Sequence, residues 1–326
     1  MIRTRFAPSP TGDLHLGSVW TALASWALAR REGREGGVFV VRVEDLDPPR
    51  VVRGSAAQIA DDLRWLGIDW DEGPGPDVAG MASGPHAPYA QSERGAIYES
   101  ALTELTDQAL TYPCDCSRAE IARAASAPHP GEETVYPGTC RDRDPARAMK
   151  RDPAVRLRVP DGTRIRVLDG ALGAIEQDVS RECGDFVLRR GDGVFAYQLA
   201  VVVDDLAMQI TDVVRGADLA SSTPRQVLLA RLLGAEAPRY VHLPLVVATD
   251  GSRLAKRTGG ASVRALREAG IDARAIVGKL AAGLGLAPDD APRSTREVLE
   301  AFAARAVAWP REPWRVPAEW AHVTGA

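Results

Sequence analysis

The chain lacks three features that would decide its class at once: long apolar runs, a rich set of cysteines, and an overall excess of positive charge. No stretch among its 326 residues has the length and apolarity of a membrane span. The opening Met1-Ile2-Arg3-Thr4-Arg5 has no signal-peptide apolar run, so the expected location is cytoplasmic. Four cysteines, two of them one residue apart, suit a metal site in a reducing compartment better than a secreted disulfide framework. The net charge of −4 gives no global sign of nucleic-acid binding. Locally the balance differs: Arg141 to Arg166 holds nine Arg/Lys against four Asp, a surplus that permits RNA contact and equally suits a solvated basic face. There is no internal repeat and no low-complexity tail. With 45% hydrophobic residues the chain can bury a substantial core, divided into two or three structural units.

What is present is a pair of separated motifs. Arg5-Phe6-Ala7-Pro8-Ser9-Pro10-Thr11-Gly12-Asp13-Leu14-His15-Leu16-Gly17-Ser18 joins a strand, a Gly- and Pro-bearing turn and the start of a helix. That arrangement suits backbone N–H groups and an imidazole aimed at phosphates. Far downstream, Arg253-Leu254-Ala255-Lys256-Arg257 would bring a lysine to the same anions. Either motif alone would be an ordinary turn or basic loop; their order and company argue for a shared nucleotide site.

The hydrophobic pattern supplies the frame. Residues 2–7 read as a buried strand, Leu16, Val19, Trp20 and Leu23 recur at helical spacing, and 38–43 read as a second buried strand ending in Glu44-Asp45. Strand, helix and strand in this order predict an α/β fold with a parallel sheet, whose ligand crevice lies beyond the carboxyl ends of the strands. Residues 73–88 and roughly 125–137 read as loops. The apolar runs 200–203 and 243–247 read as strands of the second half of the sheet. Helical patterning follows around 263–266 and 275–280, and Trp309, Trp314 and Trp320 are expected to pack the terminal region.

With these motifs placed, the chain resembles a class I aminoacyl-tRNA synthetase of the glutamyl type. Arg42-Val43-Glu44-Asp45, the run from Tyr197 to Asp205, and Val214-Arg215-Gly216-Ala217-Asp218 carry the likeness further. Within that group, the short C-terminus and the Cys-x-Cys insertion resemble the glutamyl-queuosine tRNA(Asp) synthetases, a branch without the anticodon-binding domain. The resemblance implies a Rossmann-like domain in two halves, 1–91 and 190–250. Between them would lie an insertion, 92–189, with zinc and an acceptor-binding-like region; residues 251–326 would form the Lys256 loop and a small helical domain. It implies ATP with Mg2+, L-glutamate, and a queuosine-bearing tRNA(Asp) as partners, in a monomer. The implied reaction activates glutamate and transfers it to the cyclopentene diol of queuosine at the wobble position. Two other readings stay open: a compact glutamyl-tRNA synthetase charging tRNA(Glu), and a noncatalytic RNA- or nucleotide-binding paralogue.

The resemblance also assigns residues. His15, Gly17 and Ser18 correspond to the ATP signature, with Arg253 and Lys256 as phosphate contacts. Arg253 and Ala255 depart from the usual Lys-Leu-Ser-Lys form; one charge is kept and one hydroxyl lost. Arg5 and Arg215 match carboxylate-binding positions, as suits bidentate guanidinium groups. Glu44 and Ser9 match positions facing the amino group, Ala7 lies in the same segment, and Tyr197 matches a side-chain hydrogen-bonding position. In the insertion, Cys114-Asp115-Cys116 precedes Tyr136-Pro137-Gly138-Thr139-Cys140. Three thiolates suit structural zinc, and metal chemistry alone would take His129 or Cys183 as the fourth ligand. The resemblance points instead to Tyr136, with His129 as the alternative.

Overall fold

The computed structural model describes all residues except 32, 34–35, 76–81, 125–134, 145, 253, 255–261, 321–322 and 324–326. Strand β1 (Ile2–Phe6) leads through a Pro-rich turn to α1 (Leu16–Arg30) and then to β2 (Gly37–Val41). β1 and β2 pair in parallel, from Ile2 opposite Gly37 to Phe6 opposite Val41. A side chain at Gly37 would meet Ala29 O at 2.3 Å, so only glycine lets α1 close this tightly on the strand. Beyond the strands the ladder continues: Arg42 N bonds Phe6 O, and Glu44 N bonds Pro8 O. This carries Glu44 to the carboxyl end of the sheet beside the first motif.

Helix α2 (Ser55–Trp65) follows, then the two-residue strands β3 (Gly73–Pro74) and β4 (Ala82–Ser83), which pair antiparallel within the segment expected to be a loop. After α3 (Gly95–Asp107) come β5 (Thr111–Cys114), α4 (Arg118–Ala124) and β6 (Ala154–Leu157). The hairpin β7 (Arg164–Asp169) and β8 (Gly173–Asp178) precedes α5 (Val179–Glu182) and β9 (Val187–Arg189). β5, β6 and β9 form a small antiparallel sheet of their own.

Residues 200–203 do not form a strand: they lie inside helix α6 (Tyr197–Ala207). The error has a physical source. Leu199 to Asp205 are all buried, so the helix is covered on every side and four consecutive apolar residues carry no periodicity that would mark it as helical. β10 (Asp212–Gly216), α7 (Thr223–Leu232) and β11 (Arg239–Leu243) complete the main sheet, whose order is β11-β10-β1-β2 with all neighbours parallel. The run 243–247 is also not one strand. β11 ends at Leu243, and Val246–Val247 form β12, which is in a separate two-stranded sheet.

Helices α8 (Val263–Glu268), α9 (Ala273–Gly283) and α10 (Thr295–Ala303) lead to β13 (Trp314–Arg315), the parallel partner of β12. Two hydrophobic cores flank the main sheet. Val41 and Val214 face one, with α1, α9 and α10; Val40 and Val213 face the other, with α3, α6 and α7. Successive residues of a strand point to opposite faces, which is why these near-continuous apolar strands feed both cores. Trp320 is buried in the first core, Trp309 packs against it, and Trp314 stacks on Trp20 at 5.6 Å. Among the described residues, no helix is long and apolar enough to cross a membrane.

Candidate active site

A cleft of about 470 Å3 opens at the carboxyl ends of β1, β2 and β10, where the strand order places β1 between two neighbours reached by separate connections. Arg5, Ala7 and Ser9 line it from the end of β1, Glu44 from beyond β2, Arg215 from β10 and Tyr197 from the start of α6. All six residues expected at a glutamate site therefore share one wall system. His15 and Ser18 line the same cleft at the N-terminus of α1, where the helix dipole favours an anion.

The imidazole of His15 is the N-cap of α1: its Nδ1 accepts from Ser18 N at 3.2 Å, and Nε2 lies 3.1 Å from Ser18 Oγ. Gly17 sits against that ring, and a side chain there would approach His15 Cε1 and Nδ1 at 3.1 Å. Arg253 and Lys256 lie outside the described residues. Just beyond that segment Ser262 bridges to the His15 backbone and Val263 N bonds Leu14 O, so the chain re-enters the description beside the first motif.

Beneath the cleft lies a buried charge network. Arg42 Nη1 bonds Asp205 Oδ1 at 2.7 Å, and its Nη2 bonds Glu44 Oε1 at 3.1 Å. Arg5 Nε lies 3.4 Å from Asp205 Oδ1. Asp204 accepts from Arg94 Nε at 2.6 Å, Gln91 Nε2 at 2.7 Å and Tyr98 OH at 2.9 Å. Three guanidinium groups thus face three carboxylates, which makes their burial tolerable. Burial works to raise the Asp205 carboxyl, but Arg42 and Arg5 outweigh it and hold it below the usual range. Glu44 goes the other way: burial raises it, against the opposing pull of Arg42 and Arg5.

Arg215 is different. It is 4% exposed, yet no described carboxylate pairs with it; Nε donates to His242 Nε2 at 3.0 Å and Nη2 to Thr223 Oγ1 at 2.8 Å. Its Nη1 is buried without a partner. A buried cation without an anion is costly unless a ligand supplies one.

The family model described as tRNA synthetases class I (E and Q), catalytic domain, matches residues 1–302. The chain belongs to this family. The glutamyl-Q tRNA(Asp) synthetase of Nitratidesulfovibrio vulgaris is 47% identical over 324 residues, spanning 98% of this chain and 97% of its own length. That of Symbiobacterium thermophilum is 46% identical with the same two coverages. Among solved structures, a glutamate tRNA ligase from Elizabethkingia meningosepticum in complex with its amino acid superposes with a TM-score of 0.80 at 29% identity, covering 98% of this chain and 68% of that one. The parallel α/β architecture is thus the class I synthetase fold.

The Sγ atoms of Cys114, Cys116 and Cys140 lie within 4.8 Å of one another, and Cys116 and Cys140 are 3.6 Å apart. Tyr136 Oη is 3.4 Å from Cys114 Sγ and 3.7 Å from Cys116 Sγ, and it accepts the Cys140 N–H at 2.8 Å. Cys183 does not join them; it bonds Gln177 Oε1 at 3.4 Å, and His129 lies outside the described residues. The group can hold a metal ion. Tetrahedral zinc–thiolate bonds place sulfurs about 3.8 Å apart, close to the spacing found here. Arg156 lies over the Tyr136 ring at 3.8 Å and brings positive charge beside the cluster.

Several residues of the site escape the sequence reading. Asp204 and Asp205 stand within a motif run but declare no role, because their partners Arg94 and Arg5 are 110 and 200 positions away. His242 and Asp169, 73 positions apart, carry no local signal at all. Arg50, at the cleft's edge, lies in the exposed Pro48–Arg50 turn and has only its charge to mark it.

Proposed function

We propose that this chain activates L-glutamate with ATP and transfers the glutamyl group to the cyclopentene diol of queuosine at the wobble position of tRNA(Asp). The observation that carries the reading is Arg215, a buried guanidinium in the wall of the cleft that no carboxylate among the described residues pairs with. Near-full-length likeness to glutamyl-Q tRNA(Asp) synthetases supports the choice of reaction.

In this reading Arg215 and Arg5 take the carboxylates of glutamate, Glu44 and Ser9 take the ammonium, Ala7 forms the adjoining backbone wall, and Tyr197 bonds the side-chain end. Glutamine would leave a cationic subsite without its anion, which disfavours it. The α-carboxylate attacks the α-phosphate of ATP in line, forming glutamyl adenylate and releasing pyrophosphate. The α1 N-terminus with His15 and Ser18 steadies the phosphates, Gly17 permits close approach, and Lys256 with Arg253 offsets charge on the leaving pyrophosphate, to which a bound Mg2+ would add further positive charge. A hydroxyl of the queuosine diol then attacks the glutamyl carbonyl and AMP departs.

Cys114, Cys116, Tyr136 and Cys140 would hold zinc, which would brace the insertion instead of activating water. We take residues 1–91 and 190–250 as the halves of the catalytic domain, 92–189 as the insertion and 251–326 as the helical end, in a cytoplasmic monomer.

The test is ATP-dependent transfer of labelled glutamate to tRNA(Asp) carrying queuosine, tRNA(Asp) carrying guanosine, and tRNA(Glu). Labelling of the first alone is expected. Labelling of tRNA(Glu) would favour a compact glutamyl-tRNA synthetase, a reading to which the likeness to glutamate tRNA ligases also lends weight.

A further inference from the structure

Arg215 is held from behind by a chain of buried side chains drawn from three other elements. Its Nε–H donates to His242 Nε2 at 3.0 Å on β11, and Thr223 Oγ1, at the start of α7, lies within 2.8 Å of Arg215 Nη2 and 3.1 Å of His242 Nε2. On the far side of the imidazole, Nδ1 lies 2.7 Å from Asp169 Oδ2 on the β7–β8 hairpin. The other oxygen of Asp169 accepts the N–H groups of Ala171 and Leu172 at 2.9 Å each and of His242 at 3.2 Å. His242 and Thr223 are fully buried, and Asp169 and Arg215 are each 4% exposed.

The proton positions follow from these partners. A guanidinium Nε can only donate, so His242 Nε2 must accept and the ring proton must sit on Nδ1, where Asp169 receives it. A second proton on the ring would point at Arg215. Burial, together with Arg215 and Arg5, lowers the His242 pKa against the raising effect of Asp169, which keeps the ring neutral. The hairpin itself is pinned: Gly170 N bonds Tyr240 O at 2.9 Å, and a side chain at Gly170 would strike Val241 Cγ2 at 2.8 Å.

We propose that Asp169 and His242 are positioning residues for the glutamate site: together they fix the imidazole tautomer that anchors Arg215, and so hold its guanidinium, with Nη1 unspent, for a substrate carboxylate. This deepens the proposed function and rests on Arg215 being the residue that binds glutamate. A hairpin of the insertion thereby becomes part of amino-acid recognition, although none of its described residues lines the cleft.

The test is glutamate-dependent exchange of pyrophosphate into ATP by the full chain, with the KM for glutamate and for ATP measured separately. Asp169→Asn keeps the shape and an oxygen for the backbone amides, but its NH2 donates to Nδ1 and drives the ring proton to Nε2, facing the Arg215 donor. His242→Asn removes the acceptor, whereas His242→Gln can return an amide oxygen near the Nε2 position. Loss of one charge-assisted hydrogen bond predicts a rise of about 10- to 100-fold in glutamate KM for Asp169→Asn and His242→Asn. ATP KM and kcat should stay near wild type, and His242→Gln should recover most of the loss.

Unchanged glutamate KM in Asp169→Asn and His242→Asn, with thermal unfolding showing both folded, would overturn the proposal. So would equal losses toward glutamate and ATP. Arg215→Lys separates the two claims: if it leaves glutamate KM unchanged, the assignment of glutamate to Arg215 falls, and the positioning role falls with it. If it raises that KM while the Asp169 and His242 variants do not, only the positioning role is lost.

Discussion

Arg5 Nε lies 3.4 Å from Asp205 Oδ1, with both side chains buried, so the positive charge of Arg5 is already offset inside the protein. Arg215, across the same cleft, has no such partner among the described residues and rests on neutral acceptors. Two arginines assigned to one substrate thus differ in what they lack. Arg5 is a shaped contact, while Arg215 is a stored charge awaiting an anion.

That difference predicts opposed effects on stability and activity for Arg215→Met. Replacing an uncompensated buried cation by an apolar side chain of similar length should raise the free energy of unfolding by about 1 kcal/mol. The same change should lower kcat/KM for glutamate by about 10²-fold or more, the scale for losing one partner of a buried charged contact. Urea unfolding and pyrophosphate exchange measure the two. A destabilised Arg215→Met would mean that the guanidinium has a counter-charge in the free protein.

Glu44 gives a pH signature. Its carboxyl is raised by burial, and it must be ionised to receive an ammonium group. The acid limb of kcat/KM for glutamate should therefore lie above about 4.3, the ordinary glutamate value. For stability the sign is the same as for any raised acid. Its contribution is complete below about 4.3 and is lost as pH rises through the folded value. Glu44→Gln should remove the acid limb, weaken glutamate binding, and unfold at higher urea than wild type above that window. Asp205, held below its usual range by Arg42 and Arg5, acts oppositely: its stabilisation is present above about 3.9 and disappears as pH falls.

How much of this was legible in the chain depends on distance along it. The parallel sheet, the first motif and the Cys-x-Cys cluster are local patterns, and each is found at the place its spacing implies. Helix α6 departs from the expected strand because burial on all sides erases the 3.6-residue period, leaving 200–203 indistinguishable in sequence from a buried strand. Pro244 follows β11 at once, and a proline has no N–H to give to a ladder, which explains why 243–247 split. Arg5, Glu44 and Arg215 could be assigned through family likeness, but the pairing of Arg5 with Asp205 and of His242 with Asp169 exists only in three dimensions. No window of sequence contains both partners.

Lys256 tests the second motif. If it offsets charge on the leaving pyrophosphate, Lys256→Ala should reduce glutamate-dependent exchange by about 10²-fold or more, the scale for losing one preorganised stabiliser of transition-state charge. The loss should fall on kcat, with glutamate KM little changed, because the amino-acid subsite is built from other elements. Near-normal exchange in a folded variant would remove Lys256 from the mechanism and leave the phosphates to α1 and Arg253.

Tyr136 offers the sharpest test of the metal cluster. Its hydroxyl oxygen accepts the Cys140 N–H and lies against two of the three thiol sulfurs, near enough to serve as a fourth ligand. The purified chain is expected to carry about one zinc ion, the content of one tetrahedral site, by plasma mass spectrometry. Tyr136→Phe keeps the ring beneath Arg156 but deletes the oxygen, and should weaken zinc affinity at least about 10-fold. Cys116→Ala, which removes a thiolate, should abolish binding. If the ion braces the insertion and takes no part in adenylate formation, chelation should strip hydrogen-exchange protection from β5, β6 and the 136–140 turn first, while pyrophosphate exchange persists. Simultaneous collapse of exchange activity and protection would instead make the metal part of the catalytic fold, and unchanged zinc affinity in Tyr136→Phe would hand the fourth position to another ligand.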